Sequence, residues 1–147
     1  MEIDRLNWKI LKCLQENARL SNAEIGRRVG VSSPAVSERI KKMEDLGVIE
    51  GYKGIVSPFE VGYQLKAIIT LRAFMGKLKP FLVKVKTYDE VVNCYRITGD
   101  ENIVMEVVLK NQKHLETFID QLIIYGESKT QIVLSDVVKQ KEIESLK

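Results

Sequence analysis

Residues 27 to 42 concentrate the side chains best suited to touching a polyanion: Arg27 and Arg28, then Ser32-Ser33-Pro34, then Ser37, Glu38, Arg39, Lys41 and Lys42. Guanidinium and ammonium groups neutralise phosphates, and small hydroxyl residues can approach base edges in a DNA major groove about 12 Å wide. If Val36 and Ile40 point inward on a helix, the outward and flanking positions are Ser33, Pro34, Ser37, Glu38, Lys41 and Lys42. Arg39, Lys41 and Lys42 then serve as phosphate contacts, joined by Arg27 and Arg28 from the preceding segment. Glu38 has two readings, an acceptor for a cytosine amino group or a partner of Lys41 or Lys42 on a solvated face, and the second is preferred. Charge alone proves little, because a run of lysines is usually only a solvated helix face. The elements that hold these residues must decide.

Those elements are legible upstream. Leu6, Ile10, Leu11 and Leu14 form an apolar stripe at helical spacing, with Ile3 ahead of it and Asp4 as N-cap, so a first helix is expected to about Asn17. Ser21-Asn22-Ala23-Glu24 is a capping box that opens a second helix, stopped by Gly30. Ser32-Ser33-Pro34 reads as a hydroxyl cap followed by proline at the first helical position. The third helix carries Val36, Ile40 and Met43 inward and ends at Leu46-Gly47. Gly26 and Gly30 sit where a helix-turn-helix needs a small residue at the crossing and a left-handed residue in the turn. A plain helical hairpin is the alternative, and the outer face of the third helix argues against it.

From about Gly62 the period changes. Leu65, Ala67, Ile69, Leu71 and Ala73 alternate with polar residues as in a strand. Leu78, Phe81, Leu82 and Val85 predict a short helix, Val91 to Thr98 and Ile103 to Leu109 two strands, and Leu115, Phe118, Ile119 and Leu122 another helix. Gly126 reads as a break and Thr130 to Val138 as the last strand. The order β-α-β-β-α-β is the ferredoxin-like split βαβ, with helices on one sheet face. The fold class is α+β: a three-helix, winged-helix-like domain over residues 1–52, a hinge over 53–62 containing Gly54, Pro58 and Gly62, and a βαββαβ domain over 63–147.

Composition fits this without naming it. The 147 residues carry a net charge of +3, with 45% hydrophobic and 29% charged residues, too apolar for disorder and too charged for a membrane protein. No apolar run approaches the ~20 residues that span a bilayer. The opening residues Met1-Glu2-Ile3-Asp4-Arg5 lack a signal-peptide layout, and the two cysteines, Cys13 and Cys94, are far apart, so the expected location is a reducing cytoplasm. No metal-ligand spacing is visible, and neither metal nor cofactor is expected.

The chain resembles the Lrp/AsnC (feast/famine) transcriptional regulators over nearly its whole length. The resemblance is carried by Ile3-Asp4, Ile10-Leu11, Leu14-Gln15 and Arg19-Leu20-Ser21-Asn22, then Glu24-Ile25-Gly26 and Val29-Gly30-Val31-Ser32. It continues through residues 36–44 and Gly47-Val48-Ile49-Glu50-Gly51-Tyr52, then Cys94-Tyr95-Arg96-Ile97-Thr98-Gly99 and residues 130–135. It implies a winged or simple helix-turn-helix joined by a hinge to a sheet domain that dimerises and assembles into tetramers or octamers. It also implies regulation of promoters by binding double-stranded DNA, modulated by an amino acid or related small molecule. The implied effector residues are Thr98, Gly99, Asp100, Glu101, Asn102 and Gln131. The chain departs from the family pattern at Asn7, where aspartate is common, at Asn102, where the turn G-x-x-D ends in a carboxylate, and at Tyr125-Gly126-Glu127-Ser128, where glycine-valine often precedes the last strand.

Three other readings stay beside it. One is a small-molecule-sensing or assembly module with weak or architectural DNA binding. Another is an enzyme on a ferredoxin-like sheet; it finds no G-x-S-x-G or phosphate loop, reads His114 as solvent-facing beside Lys113 and Glu116, and reads Cys13 and Cys94 as small buried hydrophobes. An RNA-binding sheet needs aromatics for base stacking, and Ile103 to Leu109 has none. Trp8 reads as packing.

Overall fold

The computed structural model describes residues 3–146. It divides into two compact units, residues 3–54 with 138–146, and residues 55–137. The sequence reading groups the last ten residues with the sheet; in the structure the described ones among them pack with the helical unit.

The helical unit contains α1 (Arg5–Glu16), α2 (Asn22–Val29) and α3 (Ser33–Asp45). Each begins on a side chain that satisfies an otherwise orphaned amide. Asp4 accepts from the Asn7 N–H at 2.7 Å. Ser21 and Glu24 form the reciprocal capping box, at 3.1 and 2.7 Å. Ser32 caps α3 by accepting from the Ala35 N–H. Ser33 is therefore the first helical residue and Pro34 the second, one position later than the sequence reading, because Ser32 alone takes the extended cap conformation. Ile10, Leu11, Cys13, Ile25, Val36 and Met43 form the buried core, with Trp8, Leu20, Ile40 and Val48 packed against it. Burying each large side chain fully is worth about 1.5–3 kcal/mol. Residues 138–146 join this unit through one side chain: the Gln15 carboxamide donates to the Ile143 carbonyl at 3.0 Å and accepts from the Ile143 N–H at 2.8 Å.

The second unit contains β1 (Leu65–Ala73), α4 (Leu78–Lys84) running into a 3-10 turn (Val85–Thr87), β2 (Val91–Arg96), β3 (Ile103–Leu109), α5 (Gln112–Leu122) and β4 (Gly126–Ile132). The sheet is antiparallel with strand order β2-β3-β1-β4. Ala67, Ile69 and Leu71 of β1 and Ile103, Met105, Val107 and Leu109 of β3 meet Phe81, Val85, Phe118 and Leu122 in one core. The alternation read from the sequence is thus the burial pattern of β1 and β3.

The last strand is displaced from its expected place. It runs over Gly126–Ile132 and not Thr130 to Val138, because Gly126 is a pairing residue and not a break. It lies opposite Ala73, where a Cβ would stand 2.3 Å from the Arg72 carbonyl oxygen. The strands approach at that point only because position 126 has no side chain.

His114 is also not solvent-facing. Its Nδ1 accepts from the Lys110 N–H at 3.1 Å, so the neutral ring carries its proton on Nε2, which lies 2.9 Å from a Glu90 carboxylate oxygen. The pair is largely buried and ties the start of α5 to the loop before β2.

Two substitutions test these backbone assignments by thermal or denaturant unfolding. Gly30→Val should cost about 1–2 kcal/mol, since Gly30 has φ 83° and a left-handed residue with a Cβ is strained. Gly126→Ala should cost about 1–3 kcal/mol, as overpacking against fixed backbone. An unchanged transition midpoint in either variant contradicts its assignment.

Candidate nucleic-acid interface

The helix-turn-helix is closed by a backbone contact. Gly26 is buried in α2, and a Cβ there would lie 2.5 Å from the Val31 carbonyl oxygen. The Val31 N–H in turn bonds the Gly26 carbonyl at 3.1 Å, and the Gly30 N–H bonds it at 2.8 Å. Gly30 ends α2 in the left-handed conformation. Val36 and Met43 are then driven inward, 0% and 1% exposed. Pinned this way, α3 has one outer face.

That face carries the residues singled out from sequence. Ser32, Pro34, Ser37, Glu38, Lys41 and Lys42 are exposed and Ser33 is half-buried. Arg27 and Arg28 are exposed on α2, with the Arg28 guanidinium 3.8 Å from Glu16. Ser37 and Lys41 line a shallow groove of about 560 Å³ between α3 and the α1–α2 connection, with Leu14, Leu20, Ile40 and Glu44. Tyr52 closes one side and donates to Glu44 at 2.8 Å; this bond and the partial burial of the phenol push its pKa up to about 12. The preferred pairing of Glu38 with Lys41 or Lys42 does not form: among the described residues neither lysine makes an ion pair.

Arg39 is placed differently from its neighbours. Its guanidinium donates to Asp4 at 2.8 Å and to Asn7 at 2.9 Å, tying α3 to the first turn of α1. Sequence reasoning missed this link, because 35 residues separate Arg39 from Asp4 and only the fold brings them together. Asp4 is held below the ordinary carboxylate value, first by Arg39 and then by the Asn7 N–H it caps.

The proposed effector residues form a turn and part of an edge strand. Thr98, Gly99 and Asp100 are exposed, and Gly99 has φ 108°. The Asn102 side-chain oxygen accepts from the Ala73 N–H at 2.8 Å, while its own N–H bonds the Leu71 carbonyl at 2.9 Å. Asn102 is therefore a bridge onto the end of β1. The Glu101 carboxylate meets Lys129 at 2.8 Å, which lowers the pKa of Glu101 and raises that of Lys129. Gln131 stands two residues beyond Lys129 on the same face of β4, opposite Ile68. Both cysteines are free, and burial raises the Cys94 thiol, which disfavours a nucleophilic thiolate. Among the described residues no helix is long and apolar enough to cross a membrane, and no group of three or more His, Cys, Asp or Glu side chains could hold a metal ion.

A glycine-closed helix-turn-helix with a polar, basic outer face, on the same chain as a βαββαβ sheet unit, defines a class of two-part DNA-binding regulators. Known proteins agree. Residues 3–50 match the winged helix-turn-helix DNA-binding domain and residues 66–143 the Lrp/AsnC ligand binding domain. The chain is 36% identical over 121 residues to the HTH-type transcriptional regulator Ptr1 of Methanocaldococcus jannaschii, covering 82% of each chain. It is 30% identical over 141 residues to the regulator LrpB of Bacillus subtilis, covering 95% of this chain and 93% of that one. A Neisseria meningitidis transcriptional regulator solved as an L-Met complex matches its fold with a TM-score of 0.91 at 27% identity, over 97% of this chain and 96% of the other. The protein belongs to the Lrp/AsnC family of transcriptional regulators.

The Arg39 link yields a titration test. Because the folded pKa of Asp4 is lowered, the stabilisation from its carboxylate is present above its ordinary pKa and is lost as pH falls through the folded value. In Arg39→Ala the Asp4 pKa, followed by NMR, should move up toward 3.8 while staying below it through the remaining Asn7 bond. A pKa that does not move removes Arg39 from the α1 cap.

Proposed function

We propose that this protein regulates transcription as a dimer or larger homo-oligomer that sets two copies of α3 into successive major grooves of a near-palindromic operator. The observation that carries this is the exposed small-polar and basic face of α3, fixed by the backbone crossing at Gly26. Ser33, Pro34 and Ser37 lie toward the N-terminal end, where side chains of a recognition helix reach base edges. Lys41 and Lys42, with Arg27, Arg28 and the Ser32 cap, engage the phosphates, and Glu38, free of an ion pair, is available to a cytosine amino group. Arg39 acts as a positioning residue through Asp4 and Asn7. Two half-sites roughly 34 Å apart follow from a two-fold arrangement on the duplex.

The sheet supports the oligomer reading. Phe81 of α4 and Phe118 of α5 pack into the face that holds Ile69 and Met105. The opposite face presents Ile68, Thr70 and Val104 with the exposed Tyr95. An amino acid or related small molecule is the proposed effector, at Thr98 to Asn102 with Gln131. Within that turn Glu101 is held by Lys129 and the Asn102 oxygen by Ala73, which leaves Asp100 as the carboxylate for a ligand ammonium.

Selection of bound duplexes from a random pool, with and without a mixture of amino acids, tests both parts. With about 6–10 phosphate contacts, affinity for the selected duplex should fall about 10³–10⁵-fold between 50 and 200 mM salt. The double variant Ser37→Ala with Lys41→Ala should lose operator affinity at an unchanged melting temperature; an unchanged footprint would move the reading surface elsewhere. Asp100→Asn should weaken the effector's influence on binding while leaving effector-free affinity intact, and an unaltered response would take Asp100 out of the site.

A further inference from the structure

The sheet unit carries a charge asymmetry that neither its packing nor the effector turn explains. Residues 55–137 hold ten acidic and ten basic side chains, yet no acid lies between Glu60 and Asp89. That interval contains Lys66, Arg72, Lys77, Lys79, Lys84 and Lys86. The first two are neutralised within the sheet, Lys66 by Asp136 at 2.6 Å and Arg72 by Glu127. The other four sit on α4, at its N-cap and in the 3-10 turn after it; all are exposed, and among the described residues none forms an ion pair. Lys84 lies 5.7 Å over the Tyr88 ring. Glu90, the nearby acid on the following loop, is engaged by His114.

Folding of α4 does not account for these lysines. Phe81 and Val85 bury the inner face, and Lys77 and Lys79 stand at the helix end where the backbone dipole disfavours positive charge, with no acid in the first turn. A merely solvated helix face mixes signs and pairs them at i,i+3 or i,i+4; this one has a single sign. Lys77 and Lys84 are two turns apart, about 10 Å of rise, which matches roughly three phosphate steps at 3.4 Å each along one strand. The side chains are all lysine, compact charges without the fork that reads base edges, so they suit backbone contact.

We propose that α4 and its 3-10 turn form a second DNA-contact surface, engaging the phosphates of duplex flanking the operator without regard to sequence. This rests on the DNA-binding reading of α3, because the flanking duplex is the polyanion that operator binding delivers to the assembly. An acidic protein or an anionic membrane would need a separate encounter.

The test uses the full chain, the quadruple variant K77Q/K79Q/K84Q/K86Q, and the corresponding quadruple lysine-to-arginine variant. Binding is measured against salt on two probes: the selected duplex cut to its core, and the same core set in long mixed-sequence flanks. Melting temperatures of the three proteins should agree, since every altered side chain is exposed. The wild type should show a steeper salt dependence on the flanked probe. The glutamine variant should lose up to about 3–4 of that log–log slope per engaged protomer, keep its affinity for the core, and be rescued by arginine. An unchanged slope on the flanked probe overturns the proposal. Equal losses on core and flanked probes overturn it too, by making the patch part of operator binding or of the fold. If the glutamine variant loses only binding to anionic vesicles or to an acidic peptide, the surface belongs to that partner instead. Failure of the wild type to bind the core at all is a failure of the α3 reading, and it removes this proposal with it.

Discussion

The helical unit depends on one approach of backbone to backbone. At Gly26 the carbonyl of Val31 occupies the space a side chain would need, 2.5 Å from where a Cβ would stand. Everything presented outward on α3 follows from that closeness. It sets the crossing of α2 and α3, turns Val36 and Met43 into the core, and leaves the serines and lysines no direction but outward. The Arg39 guanidinium then fastens the same helix to the start of α1. Such a bond between partly exposed groups adds little stability by itself. Its role is to fix an angle.

The sheet unit meets the same steric problem at Gly126, where β4 passes the carbonyl of Arg72. In both units a side chain has been given up where two chain segments need to touch. The difference lies in what the contact positions. At Gly26 it orients a surface for a partner. At Gly126 it seats an edge strand, and so sets where Lys129 meets Glu101 and where Gln131 lies beyond it.

Local rules made much of this legible in the sequence, and long-range ones did not. The starts of α1, α2 and α3 were readable because caps act within three or four residues, and Asp4, Ser21 and Ser32 each bond an amide three positions on. Alternation placed β1 and β3, whose inward residues are fully buried. The last strand was misplaced because a glycine that permits close pairing looks, in sequence, like one that ends an element. The ties of Arg39 to Asp4 and of His114 to Glu90 were invisible for another reason: polar side chains 35 and 24 residues apart leave no periodic trace. The outer face of α3 could be derived from helical spacing, whereas the groove beside it required the α1–α2 connection and Tyr52 to be in place.

The Gln15 carboxamide holds residue 143 by its peptide N–H and carbonyl alone, as a neighbouring strand would. Such an attachment is blind to the identity of the side chain it holds. Residue 143 can therefore drift through evolution without loosening the grip, whereas an insertion or deletion shortly before it would present the wrong peptide unit or none. Spacing, and not composition, is what this end of the molecule has to preserve.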